Sequence, residues 1–370
     1  MMHGLGKRFA LVAALAVLCA PGEAVAQGGF LWQGIGDIEL FKTDSASFLL
    51  ARGNGRPSAL LRFDTWAAAE PINNLVAYVE LYGTAGGALQ PSDDRGVILK
   101  QAALRYSPSD AIVLAGGKIP QVVGAFSSRI LSYRNPLIGV PDGYSASYPY
   151  GLRVDGTSSK MDYRAGVVSL PVHREGYTPE PGESARPAVG LGFTPFTGLR
   201  FGVSSMYGPY LNPDLTTSER HGADWKSFKQ GIYAADVQGS RGYFEANAEV
   251  VRSTYDVPGY AETSNGLAYY IEGKYTFAPR FYMATRFERN DYPFIAPVSS
   301  TFWVANNVAF SDVEVGGGFR AAATTLLKLT VRADKWSPNA NPQAPHDNGY
   351  SVAFQWSQFV DFMELAARRP

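Results

Sequence analysis

Residues 266–277 read GLAYYIEGKYTF, and the spacing inside this stretch decides the fold. Leu267, Tyr269, Ile271, Tyr275 and Phe277 fall on one face of an extended chain, and Tyr270, Glu272 and Lys274 on the other. Successive side chains of a strand point to opposite faces, so a period of two separates an apolar face from a polar one. The pattern recurs on both sides of this segment. Ala59, Leu61 and Phe63 oppose Arg62 and Asp64. Leu327, Leu329, Val331 and Ala333 alternate with Lys328, Thr330, Arg332 and Asp334, and Tyr350, Val352, Phe354 and Trp356 with Ser351, Ala353, Gln355 and Ser357. Repeated along a whole chain, this is a wall with hydrocarbon on one side and water on the other.

Working outward, the alternation predicts sixteen strands, at 34–42, 57–66, 73–83, 97–106, 111–118, 150–155, 160–169, 188–195, 199–207, 228–238, 242–252, 265–277, 281–290, 311–321, 326–336 and 348–358. Most have the length a tilted strand needs to cross a bilayer core. The gaps alternate too. After the even strands they are six, four, four, three, three, three and four residues, whereas after the odd strands they run from 11 to 31. Short turns at one end and long loops at the other are the asymmetry of a transmembrane β-barrel, and an even count returns both termini to the turn side. A soluble β-sandwich has no reason to keep this parity. Residues 47–52 and 301–310 also look extended and are left in loops here, so a count of eighteen stays open; either number encloses an open lumen. The fold expected is therefore all-β, an antiparallel outer-membrane barrel of sixteen or eighteen strands.

Composition agrees. Aromatic residues make up 13% of the 370-residue chain, there are 39 glycines, and nowhere beyond residue 26 is there a run of 18 apolar side chains; helical membrane spans are thereby excluded. Lys7 and Arg8, the apolar run 9–20 and Ala24-Val25-Ala26 have the build of an export signal cleaved after Ala26. The rival is a lipoprotein signal ending at Cys19, although Leu18 stands where a small residue is wanted. Cleavage leaves residues 27–370 as one barrel domain with 31 basic and 32 acidic side chains and no cysteine. That balance argues against a nucleic-acid partner, and the missing thiols argue against disulfides and thiolate metal sites.

The longest gap, 119–149, is the third outer loop. Its prolines (Pro120, Pro136, Pro141, Pro149) and aromatics (Phe126, Tyr133, Tyr144, Tyr148) predict a packed segment. Gly117-Lys118-Ile119-Pro120 followed by Gly124-Ala125-Phe126 resembles the GK-x-P…G-x-F stretch of the phosphate-selective porin O/P-like family, a motif-level match around residues 116–155 within an architectural likeness over most of the chain. The resemblance implies a third loop folded into the lumen and diffusion of small hydrophilic solutes, anions among them, with outer-membrane lipid around the barrel and a homotrimer open. Lys118, Arg129, Arg134 and Asp142 are the candidate constriction residues, and Arg62, Asp64, Glu80, Arg153, Arg286 and Arg332 the candidate lumen wall. Arginines in a narrow passage favour anions, while Asp37, Glu39, Glu80, Glu245 and Glu249 oppose that effect. The mixed-sign wall also fits a surface that merely solvates its lumen.

The outward face is expected to include Leu61, Val203, Ile271, Leu329 and Phe354, where a midplane arginine is costly, while arginine at inward Thr330 is expected to cost little. Enzyme chemistry finds no support. His173, His221 and His346 fall in separate loops, His3 in the signal, and no HExxH or CxxCH spacing occurs. No cofactor is expected. Beside the diffusion pore, a sheath enclosing an electron-conduit or lipid-handling partner stays open, and a barrel enzyme less so.

Overall fold

A computed structural model describes residues 29–44, 56–86, 96–141, 148–169, 185–210, 225–256, 263–291, 309–337 and 348–367. Sixteen strands follow one another: β1 Phe30–Thr43, β2 Ser58–Ile72, β3 Leu75–Gly86, β4 Gly96–Ser109, β5 Ile112–Lys118, β6 Tyr150–Ser158, β7 Met161–Val168, β8 Arg186–Phe196, β9 Leu199–Pro209, β10 Lys229–Arg241, β11 Phe244–Asp256, β12 Thr263–Ala278, β13 Phe281–Asp291, β14 Ala309–Ala322, β15 Thr325–Trp336 and β16 Gly349–Asp361. Each pairs antiparallel with its sequence neighbours, and β1 closes on β16 with Gln33 opposite Asp361. Closure removes every edge, so the count is sixteen. Ala309 and Phe310 open β14, while 47–52 and 301–308 lie outside the described residues. A short helix, α1 Phe362–Ala367, follows the last strand.

All sixteen expected strands are present; the even-numbered ones run further toward the turns than alternation suggested, while β3, β5, β7 and β11 start one or two residues later. Each of the seven short connections has two residues. The reason is local. The register shifts between Ala69 and Ile72, between Tyr106 and Ser109, and between Phe193 and Phe196. Pro71, Pro108 and Pro195 sit in those three places. A proline donates no ladder hydrogen bond, so the strand bulges and continues with its alternation broken. At the turn between β8 and β9 the backbone of Gly198 has φ +93°, and a Cβ there would lie 2.4 Å from the Ser240 carbonyl oxygen. Only glycine fits that corner.

The outward face is apolar. Leu61, Val203, Ile271 and Leu329 each leave about half of their surface exposed on the bare barrel, and half-buried Phe354 shares the outward face of β16 with Val352 and Trp356. Exposed Tyr207, Tyr233 and Tyr350 ring the long-loop end; Tyr243, Phe244, Phe277 and Phe281 ring the turn end. There Phe281 stacks between Phe319 and Phe277 at centroid distances of 4.5 and 6.0 Å. Rings of aromatics flanking an aliphatic band mark the two bilayer interfaces. Phe362 of α1 stacks on Trp32 at 4.7 Å and so ties the chain end to the barrel wall.

Candidate functional site

The lumen is occupied by the third loop. Where β5 ends, Gly117 takes φ +126°, and a Cβ on it would meet the Ala102 carbonyl oxygen at 2.3 Å. Leu114 points outward, and plain alternation would send Lys118 the same way. Instead Lys118 is buried and its Nζ donates to the Leu99 carbonyl at 2.5 Å. The glycine of the Gly117-Lys118-Ile119-Pro120 motif thus turns the chain from wall to lumen.

The first half of the loop lies along β6–β12. Arg153 Nη1 donates to the Pro120 carbonyl at 2.9 Å and Arg164 Nη2 to that of Gly124 at 2.8 Å. In return Gly124 N donates to Ser204 Oγ at 3.0 Å and Ala125 N to Glu249 Oε2 at 3.2 Å. Val122 and Val123 pack with Val168, Met206 and Ile232. One 3-10 turn, Phe126–Arg129, follows, with Phe126 edge-on to Tyr270 at 5.8 Å and Arg129 paired with Glu272.

The second half crosses to β13–β16 and β1. Lys328 Nζ donates to three loop carbonyls, of Ser132 at 2.6 Å, Asn135 at 2.8 Å and Leu137 at 3.1 Å. Ser132 Oγ donates to Asp37 Oδ1 at 2.7 Å and Ile138 N to Glu314 Oε1 at 3.3 Å. Tyr133 reaches down to the turn between β14 and β15, its hydroxyl donating to the Ala323 carbonyl at 2.6 Å. Backbone polar groups buried inside a lumen need partners, and the inward side chains of the wall supply them.

Under this loop the wall is sealed. Arg286 sits 2.6 Å from Glu314 and 3.5 Å from Glu272, and all three side chains are only 1–2% exposed. Arg332 is shared among Asp334 at 2.7 Å, Asp312 at 3.2 Å and Glu288 at 3.5 Å. Opposite, along β2–β5, a slot of about 200 Å³ remains between loop and wall. Arg62, Lys100 and Lys118 line it with Asp37 and Asp64; Ile130, Leu137 and Val140 face them from the loop. Lys100 Nζ bridges Asp64 and Glu80, 2.9 Å from each, and lies 5.6 and 5.3 Å from the ring centres of Tyr82 and Tyr148. Arg62 pairs with Glu39 at 3.1 Å.

Lys100 reaches the slot through a bulge. Glu80 pairs with Gln101 and Leu81 with Leu99, which leaves Lys100 as the extra residue of β4. Both Lys100 and Gln101 then point inward, where Gln101 donates to Glu80. Bulges re-aim side chains in this way. Sequence reading missed Lys100 because Lys100 and Gln101 cannot share a face under strict alternation.

Of the candidates read from the sequence, the structure brings Lys118, Arg62 and Asp64 together at the slot, with Glu80 bracing Lys100 from behind. Arg129 is turned to the opposite wall, with its guanidinium over the Phe126 ring at 5.1 Å. Arg134 is exposed, next to Tyr133 at the turn end of the loop. Arg153 pairs with Asp155 at 2.9 Å while holding Pro120, and Arg286 and Arg332 are sealed. Asp142, Tyr144 and all four histidines lie outside the described residues.

A closed sixteen-strand barrel with an apolar outer belt, aromatic rims and an inward third loop is a porin-like bacterial outer-membrane barrel. Solved structures of the same architecture include an anion-selective porin from Comamonas acidovorans, 10% identical, with a TM-score of 0.63 over 90% of this chain and 100% of that one. Another is OmpT, an outer membrane protein of Vibrio cholerae, 11% identical, with a TM-score of 0.57 over 90% of this chain and 98% of that one. At such identities the likeness is one of fold. No protein-family model matches the sequence, nor does any curated protein sequence.

Proposed function

We propose that this barrel is an outer-membrane porin, exported by the leader 1–26, through which small hydrophilic solutes diffuse passively along the slot between the third loop and β2–β5. The observation that carries the reading is the loop itself, pinned across the lumen by Lys328, Arg129 and Asp37 so that a narrow, charged slot remains. A sheath around a partner protein would need the space the loop fills. A barrel enzyme would need a nucleophile set against a base; in the slot Arg62 and Lys100 pair with carboxylates, and the Ser132 hydroxyl that donates to Asp37 serves to pin the loop. A mild anion preference fits the slot lining, three cations against two carboxylates. Glu39 and Glu80 behind Arg62 and Lys100 bring the local count to three cations against four carboxylates and oppose it. The resemblance of residues 116–155 to phosphate-selective porins O and P, and the anion selectivity of the Comamonas porin, point the same way.

Purified protein in a planar bilayer should give stepwise ion conductance. Lys328→Met should raise the single-channel conductance and make it noisier. It removes three charge-assisted hydrogen bonds to the loop, a loosening on the order of 3 kcal/mol. A folded barrel that carries no current would end the porin reading.

A further inference from the structure

The slot has two unlike faces, and together they define a kind of solute. On the wall, cation and carboxylate alternate at contact distance: Lys100 lies 2.9 Å from Asp64, with Arg62 and Lys118 lining the same space. On the loop, half-buried Ile130 and Val140 present hydrocarbon, with buried Leu137 behind them. The loop face is fixed in place, because the Lys328 bonds hold the carbonyls of Ser132, Asn135 and Leu137. About 200 Å³ is less than the roughly 300–1,000 Å³ of a drug-sized site, so the occupant has few heavy atoms.

We propose that the slot favours small zwitterions with an apolar side chain, free α-amino acids of the leucine class, over monoanions, monocations and sugars of similar size. This rests on the porin reading and narrows it. A solute that enters loses part of its hydration and is retained only where fixed partners replace it. An ammonium and a carboxylate on one carbon find a carboxylate and a cation side by side on the wall. A monoanion meets Lys100 but also Asp64, and a monocation meets the reverse, so each carries a repulsive contact the zwitterion lacks. The side chain turns to the loop, where its burial is favourable. Tyr82 and Tyr148, flanking Lys100, restrict where its ammonium can swing and keep the pair of charges in register.

The test is transient block of single-channel current in a planar bilayer by four solutes: leucine, 4-methylpentanoate (leucine without its amine), 3-methylbutylamine (without its carboxylate) and serine (without the apolar body). Leucine should block at a concentration about tenfold lower than each of the others: against the two analogues that lack a charge this is the worth of one charge-assisted contact, and against serine that of burying the apolar side chain. Asp64→Asn should erase the advantage over 4-methylpentanoate. Val140→Ser, a loop change that leaves the ion pairs of the wall intact, should erase the advantage over serine and keeps the idea testable if Asp64→Asn fails to fold. Open channels that leucine blocks no better than its three analogues would overturn the zwitterion proposal and leave the porin standing. A folded barrel without conductance would instead remove the porin reading and this one with it.

Discussion

Two stretches of the same inward wall carry the same residue types and behave differently. On β12–β15, Arg286 and Arg332 sit among five carboxylates with side-chain exposures of 0–5%, shut in by the third loop. On β2–β5, Arg62 is 22% exposed, Lys100 and Asp64 about 10%, and the slot lies against them. The difference is imposed by one loop that leans to one side. A sealed ion pair has lost its water and depends wholly on its partner. A wetted pair is replaceable, and is also where a solute can intervene. Inward charge is therefore sealed under the loop on one side of the barrel and borders the slot on the other.

The contrast breaks most visibly if the sealed wall tolerates losing its cation. Arg286→Met takes the close ion-pair partner from sealed Glu314 and leaves Glu272 with Arg129 alone, and should destabilise the barrel by about 3–5 kcal/mol. Lys274→Met, two residues along β12 from Glu272, removes a pair whose partner Glu245 is 48% exposed and should cost less than about 1 kcal/mol. Denaturant unfolding of the two variants in detergent checks this. Equal costs would mean that the loop does not seal the wall.

A second contrast lies between the two faces of one strand. Ile271→Arg places a charge in hydrocarbon near the middle of β12 and should cost about 2–4 kcal/mol in a folding titration into bilayers. Alternation makes inward Thr330 the harmless control, and the structure corrects that expectation. Thr330 is 3% exposed, with Leu137 of the loop packed beside it over Gly316. An arginine there must push the loop away. Thr330→Arg should fold with a penalty and conduct more, so a silent Thr330→Arg would put the loop elsewhere.

Residue spacing shows the barrel plainly because the bilayer imposes one rule on every strand: apolar out, polar in, period two. Ile271, Leu329 and Val203 obey it and were readable at once. The rule fails where backbone chemistry interrupts it. Pro71 and Pro108 hid the ends of two strands, and the bulge at Lys100 hid the residue that bridges Asp64 and Glu80 in the slot. Alternation also assigns a face and not a neighbour. Arg129 and Arg62 look equally available in the sequence; only the path of residues 119–141 turns one into a brace and leaves the other lining the slot. That path depends on hydrogen bonds between segments far apart in the chain, such as Lys328 with Asn135, which no local pattern encodes.

The smallest effect expected is on ion selectivity, and it tests which cations matter. Lys118 lines the slot, and its ammonium donates a hydrogen bond to the Leu99 carbonyl. Lys118→Ala should move the reversal potential in a salt gradient toward cations, since a charge in a confined passage acts more strongly than one on open surface. Arg134 is exposed at the turn end, where salt screens over about 8 Å, and Arg134→Ala should leave the potential nearly unchanged. Arg129→Ala falls between them. It uncovers Glu272, which shifts selectivity toward cations, and it also frees the loop, so conductance should rise in the same recordings. The pairing of a selectivity change with a conductance change distinguishes a brace from a lining residue. If Arg134→Ala moves the potential more than Lys118→Ala does, the selective zone lies at the turn-side mouth, and the wetted wall of β2–β5 has no special part in choosing ions.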